Sequence, residues 1–179
     1  TVIMPTSSIP AVAIDPHNGP GGPSTIDSDS VGGARAAIDH LVGLGHRRIA
    51  HIRGRGDLAS AQLRERGYRN SLEAAGIAFD PALVREGGYQ AALTEEAARE
   101  LLTLPERPTA LFATNNVMAL GALQVMHSLG LKCPNDLAIG SFDDLPLFEA
   151  LSPALTGVAQ PSYDIGYQGA ELLTRRLEG

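Results

Sequence analysis

The chain has 179 residues, of which 44% are apolar and 19% charged. That is the make-up of an ordinary globular chain, long enough for one domain with a proper core or for one domain and part of another. Its formal net charge of −6 is the wrong sign for a surface that holds nucleic acid by neutralising phosphates, so the chain alone is not expected to bind DNA strongly.

The first regular stretch is the apolar run Ala11-Val12-Ala13-Ile14, which reads as a buried strand. Asp15 and a long turn through Gly19-Pro20-Gly21-Gly22-Pro23 follow it. From Ser30 the pattern becomes helical. Ser30 can cap a helix whose residues Ala34, Ile38, Leu41 and Val42 share one face, and Gly45 stops it. Residues 48–52 read as a strand, residues 60–75 as a helix ended by Gly76, and residues 83–86 as a weaker strand. A helix capped by Thr94 runs to Leu102, and Ala110-Leu111-Phe112-Ala113 is a buried strand. A helix over residues 117–129 stops at Gly130, and Leu137-Ala138-Ile139-Gly140 is the next strand. Residues 155–159 form a last short strand before a terminal helix over 163–177, with Ile165, Leu172 and Leu173 facing inward.

Short apolar strands alternating with amphipathic helices predict an α/β fold: a doubly wound parallel sheet covered on both faces. Ligands of such sheets sit beyond the carboxyl ends of the strands. This rule selects residues 54–61, 87–91, 114–116 and 142–145.

Several motifs have a plainer reading than their appearance invites. Gly54-Arg55-Gly56-Asp57-Leu58-Ala59 matches a relaxed dinucleotide fingerprint between a strand and a helix. The acidic partner of that fingerprint should end the next strand about 20 residues on, where Glu73 instead lies inside the helix, so a glycine-rich turn is the stronger reading. The five histidines, His17, His40, His46, His51 and His127, show no metal spacing, and no G-x-S-x-G nucleophile turn is present. The single cysteine, Cys133, permits no internal disulfide and fits a reducing cytoplasm. No apolar run approaches the ~20 residues of a membrane span, and the N-terminus lacks the pattern of a secretory signal. Neither catalysis, a cofactor, a metal nor a membrane partner is expected.

Taken together, several segments resemble the lactose-repressor (LacI/GalR) family of transcriptional regulators. They are Ala36-Ala37-Ile38-Asp39-His40-Leu41 with Leu44-Gly45-His46-Arg47-Arg48-Ile49-Ala50, the R-x-x-G-aromatic set Arg64, Gly67 and Tyr68, and the run from Pro108 to Asn116. Gly121-Ala122-Leu123, Leu129-Gly130-Leu131, the run from Asp136 to Asp144, Pro153-Ala154-Leu155-Thr156 and Gln160-Pro161 complete the series in order. The chain departs from the family pattern at Asn116, where aspartate is usual, and at Ser141, where glycine is usual.

The resemblance implies a periplasmic-binding-protein-like type I fold, with two α/β subdomains around a cleft. Residues 30–159 would be one nearly complete subdomain. Residues 1–28 and 161–179 would be part of the second, and the DNA-binding headpiece would be absent. It implies a cytoplasmic sensor that binds a small effector, a sugar or sugar-like molecule. Such a sensor forms a homodimer and reaches operator DNA only through the missing headpiece. A periplasmic sugar-binding protein of a transport system is the alternative on the same fold. The ligand residues carried over are Asp15, Arg64, Tyr89, Asn115, Asp143 and Gln160, and the dimer residues are Leu120, Phe148 and Leu151. The chemistry suits a polyol. An arginine fork donates to neighbouring oxygens, a carboxylate accepts hydroxyl protons, amides do both, and a tyrosine ring covers an apolar sugar face. As an exposed arginine, Arg64 is expected to carry little stability. Asn115 could instead simply cap the helix that follows it.

Overall fold

The computed structural model describes residues 10–14, 24–152 and 154–178, which fold as two compact units. One is Ser30–Ala159; the other is formed by the described parts of Thr1–Asp29 and Gln160–Gly179.

In the smaller unit, strand β1 (Val12–Ile14) pairs in parallel with β2 (Ser24–Ile26). The terminal helix α6 (Ser162–Glu178) packs on both. Gly169, the buried residue of α6, lies where a side chain would touch Ile14 and Ile26. The Arg176 guanidinium donates to the Ala11 carbonyl at 2.9 Å. Strand β2 is absent from the sequence reading, because three residues beside a Pro/Gly-rich turn carry no periodicity of their own.

The larger unit runs α1 (Ser30–Gly43), β3 (Ile49–Arg53), α2 (Ala59–Ala74), a 3-10 turn (Pro81–Leu83), β4 (Val84–Glu86) and α3 (Ala91–Leu102). It continues with β5 (Ala110–Ala113), α4 (Asn116–Ser128), β6 (Ala138–Phe142), α5 (Pro146–Ala150) and β7 (Thr156–Val158). All five strands are parallel, in the order β4-β3-β5-β6-β7, so the predicted doubly wound sheet is present. The period-2 alternation divides the core in two. Ala50, Ile52, Leu111, Ala113 and Ile139 face α3, α4 and the Phe148 ring of α5. Ile49, Ala110, Phe112, Ala138 and Phe142 face α1 and α2. Chain order reverses at β3, whose two neighbours are β4 and β5. The carboxyl ends of β3 and β5 therefore flank the topological switch point, where this architecture places its ligands.

Two local expectations are corrected. Thr94 lies within α3 rather than capping it; Gln90 holds the cap position, and the Thr94 hydroxyl faces the Gly87 carbonyl. Residues 146–150 form a short helix started by Pro146, whose fixed φ suits a first helical position. Phe148 of that helix is 1% exposed in its own unit's core and has no surface left for a dimer partner. Leu120 and Leu151 remain half-buried.

Candidate functional site at the carboxyl edge of the sheet

The loops at the carboxyl ends of β3, β4, β5 and β6 are tied to one another. The Gly87 amide donates to the Arg53 carbonyl at 2.9 Å, joining the ends of β4 and β3. Thr114 is fully buried and donates twice to the Ile52 carbonyl, from its amide at 3.1 Å and its hydroxyl at 2.8 Å. Arg64, on the second turn of α2, joins the ends of β5 and β6. Its Nη1 donates to the Thr114 carbonyl at 2.8 Å, and its guanidinium carbon lies 3.8 Å from the centre of the Phe142 ring. It thus touches the residue before Asn115 and the residue before Asp143.

Arg64 is 5% exposed, which corrects the expectation of an exposed arginine. The helical stripe Ser60, Ala61, Arg64, Gly67, Tyr68, Ser71 and Leu72 is buried as a whole, and Arg64 sits in its middle. Its Nε is buried and meets no acceptor. An unmatched buried N–H costs roughly 1–3 kcal/mol, so the guanidinium is set to gain an acceptor at that edge.

Tyr89 and Asp143 have backbone φ angles of 61° and 71°, and among the described residues they are the non-glycine residues in the left-handed region. Bulky side chains rarely hold that conformation, and such strain collects at functional sites. Tyr89 follows Gly87 and Gly88 and lies directly over Gly54, where any β-carbon would collide with its ring and hydroxyl. Gly54 is therefore required by a tyrosine, and the glycine pattern before α2 is a seat for that ring instead of a phosphate cradle. Asn115 caps α4: its Oδ1 accepts from the Met118 amide at 3.0 Å.

The described chain therefore brings Arg64 beside the loops that carry Asn115 and Asp143, and holds Tyr89 on the loop after β4, over Gly54 of the loop after β3. Gln160 belongs to the smaller unit, where its carbonyl accepts from the Ser162 amide at 2.8 Å. Asp15 lies outside the described residues. Sequence reading missed Phe142 as the surface under Arg64 and Gly54 as the seat of Tyr89. The first was legible as an aromatic ending the strand next to the arginine's stripe; the second had no signal short of the contact itself. Among the described residues no cluster of His, Cys, Asp and Glu could hold a metal.

A cavity of about 470 Å³ lies elsewhere, lined by Leu123, Met126, Leu131, Cys133, Leu151 and Leu155 among others. These residues close α4 and precede β6 and β7, at the amino ends of the strands. Burial pushes the Cys133 thiol pKa up, so it is a poor nucleophile there.

A family profile described as a periplasmic binding protein-like domain matches residues 38–179. The chain is 37% identical to the HTH-type transcriptional repressor CytR of Escherichia coli strain K12 over 155 residues, covering 87% of this chain and 46% of that protein. The solved complex of the transcriptional regulator CelR with cellobiose is 37% identical with a TM-score of 0.85, over 94% of this chain and 52% of that one. A LacI family transcriptional regulator from Mycobacterium smegmatis gives 33% identity and a TM-score of 0.89, over 96% of this chain and 63% of that one. The chain spans about half the length of the curated relatives it matches. It belongs to the periplasmic-binding-protein-like domain family, in the form that LacI-type transcriptional regulators carry.

Proposed function

We propose that this chain is the effector-sensing part of a cytoplasmic, DNA-binding transcriptional regulator. A small sugar-like molecule binds at the carboxyl edge of the larger unit's sheet. The observation that carries the reading is the buried Arg64 guanidinium, fixed on two sides and lacking an acceptor at Nε. A neutral polyol presents hydroxyl oxygens that can fill that edge, and the strained Tyr89 and Asp143 stand on the loops after β4 and β6, at the same edge of the sheet. CelR, one of the similar proteins, was solved with cellobiose. Asn115 Nδ2, Asp143, Gln160 and Asp15 are proposed as further ligand groups. The activity is binding alone, with no bond made or broken. The regulator reading is favoured over a transport protein because the relatives are named as HTH-type repressors and regulators.

Regulation requires that the effector bind one arrangement of the whole protein better than another. DNA is contacted by a helix-turn-helix module of the kind the relatives' names denote. The regulator acts as a homodimer, with Leu120 and Leu151 proposed at the two-fold contact.

The test is calorimetric titration with neutral mono- and disaccharides, cellobiose and ribose among them, of wild type and of Arg64→Lys. Lysine keeps the charge and a donor for the Thr114 carbonyl but loses the guanidinium edge. One charge-assisted bond is worth roughly 1.5–3 kcal/mol, so affinity should fall about ten- to a hundred-fold. Equal affinities would remove Arg64 from the site.

A further inference from the structure

Arg64 holds its position through a ring that is itself held by a glycine two elements away. A β-carbon at Gly33, in the first turns of α1, would lie 2.8 and 3.0 Å from Cε2 and Cζ of Phe142 and 3.0 Å from Cγ1 of Val158. The Phe142 ring is 1% exposed. Val158, on β7, blocks retreat on one side, and the Arg64 guanidinium covers a face of the ring at 3.8 Å. Nothing about α1 itself asks for glycine here: alanine in a helix interior is favoured over glycine. The small residue is needed for the space beside it.

We infer that Gly33 and Phe142 are positioning residues for effector recognition: Gly33 leaves the slot that seats the Phe142 ring, and that ring fixes the plane in which Arg64 offers its free Nε edge. The inference rests on the reading of Arg64 as an effector group. It adds that the plane of the fork is set from α1 and β6, elements that contribute no ligand atom in that reading. The attraction between a guanidinium and an aromatic face is electrostatic and directional. A tilt of the ring therefore turns the donor edge even when the Nη1 bond to Thr114 survives.

The experiment needs no effector. Arginine Nε–Hε cross-peaks are recorded on the full chain, and that of Arg64 is assigned by its loss in Arg64→Lys. In the wild type the Phe142 ring current moves the Arg64 Hε resonance upfield, and burial slows its exchange with water. Gly33→Ala should return the resonance towards the position of a free arginine while thermal melting stays cooperative. Phe142→Leu should do the same, and Phe142→Tyr, which keeps the ring face, should retain the upfield shift. In the Phe142→Leu background Gly33→Ala should have no further effect, because the ring it displaces is gone. An Arg64 resonance unmoved by Gly33→Ala, or an equal upfield shift in Phe142→Leu, overturns the inference. The sugar titration of Arg64→Lys judges the effector reading separately, so failure of that reading leaves a distinct mark.

Discussion

His51 shows what one residue contributes to this fold. It is wholly buried on β3, with its ring stacked between Tyr68 and Phe112 at centroid distances of 4.9 and 5.2 Å. Its Nδ1 lies 3.2 Å from the Phe112 carbonyl, and its Nε2 has no partner. Burial holds its pKa at about 4, against the partial opposition of that carbonyl and of Glu65. The unfolded chain takes up the proton near pH 6.5, and the folded chain only near pH 4. Above pH 6.5 both states are neutral there and His51 adds no pH dependence. From pH 6.5 down to 4 the unfolded state binds the proton first, so stability falls, by about 3 kcal/mol in all. Urea denaturation between pH 4 and 7 should show this decline, and His51→Phe, which keeps the ring sandwich, should flatten it. An unchanged slope in His51→Phe would remove His51 as its source. Arg64 teaches the reverse lesson about legibility. Arginine is rarely buried, so the residue type argued for solvent. The i, i+3, i+4 stripe from Ser60 to Leu72 already placed it on the packed face. Because it is buried, Arg64→Ala should also cost stability, by roughly 1–2 kcal/mol from the lost ring contact and the Thr114 carbonyl left without that donor. Thermal melts measure it.

Elements with long periodic faces were readable from the sequence, and those built by contact were not. Helices α1, α2 and α4 and strands β3, β5 and β6 follow from apolar spacing ended by Gly45, Gly76 and Gly130, each at positive φ. The family-like His46-Arg47-Arg48 segment has a structural role. Arg47 donates to the Val42 and His46 carbonyls at the end of α1, and Arg48 ties β3 to the Glu106 carbonyl and to Asp80. Strand β2 and helix α5 are too short to show a period, and Phe148 looked like surface because only the tertiary core explains its burial. The pairing of α1 with α2 depends on Gly67, where a β-carbon would lie 2.6 Å from the Val31 carbonyl and 2.7 Å from Cβ of Ala34. Backbone cannot yield there as a side chain can. Gly67→Ala should therefore destabilise by about 1–3 kcal/mol, despite alanine's advantage of roughly 1 kcal/mol in a helix. A midpoint equal to or above wild type in urea would show that the helices can part without loss. At the start of α4, Asn115→Ala should cost about 1 kcal/mol through the lost cap, whatever its effect on ligand.

At the scale of the whole molecule, the candidate site was half legible. The rule that parallel sheets bind beyond their carboxyl ends selected the loops that the structure ties together around Arg64, and the strand order adds the switch point between β3 and β5. The hidden part was how those loops are joined: a buried arginine, a glycine-seated ring and a tyrosine over Gly54. None of these contacts has a local sequence period. The larger unit also carries the 470 Å³ cavity at the opposite, amino edge, which sets the two edges against each other as rival ligand sites. Backbone amide spectra decide between them when the chain is titrated with neutral mono- and disaccharides, cellobiose and ribose included. The account predicts shifts gathered on residues 54–57, 87–90, 114–116 and 143, lost in Arg64→Lys. Shifts gathered on residues 131–135 and 151–155, or shifts that persist unchanged in Arg64→Lys, would contradict it.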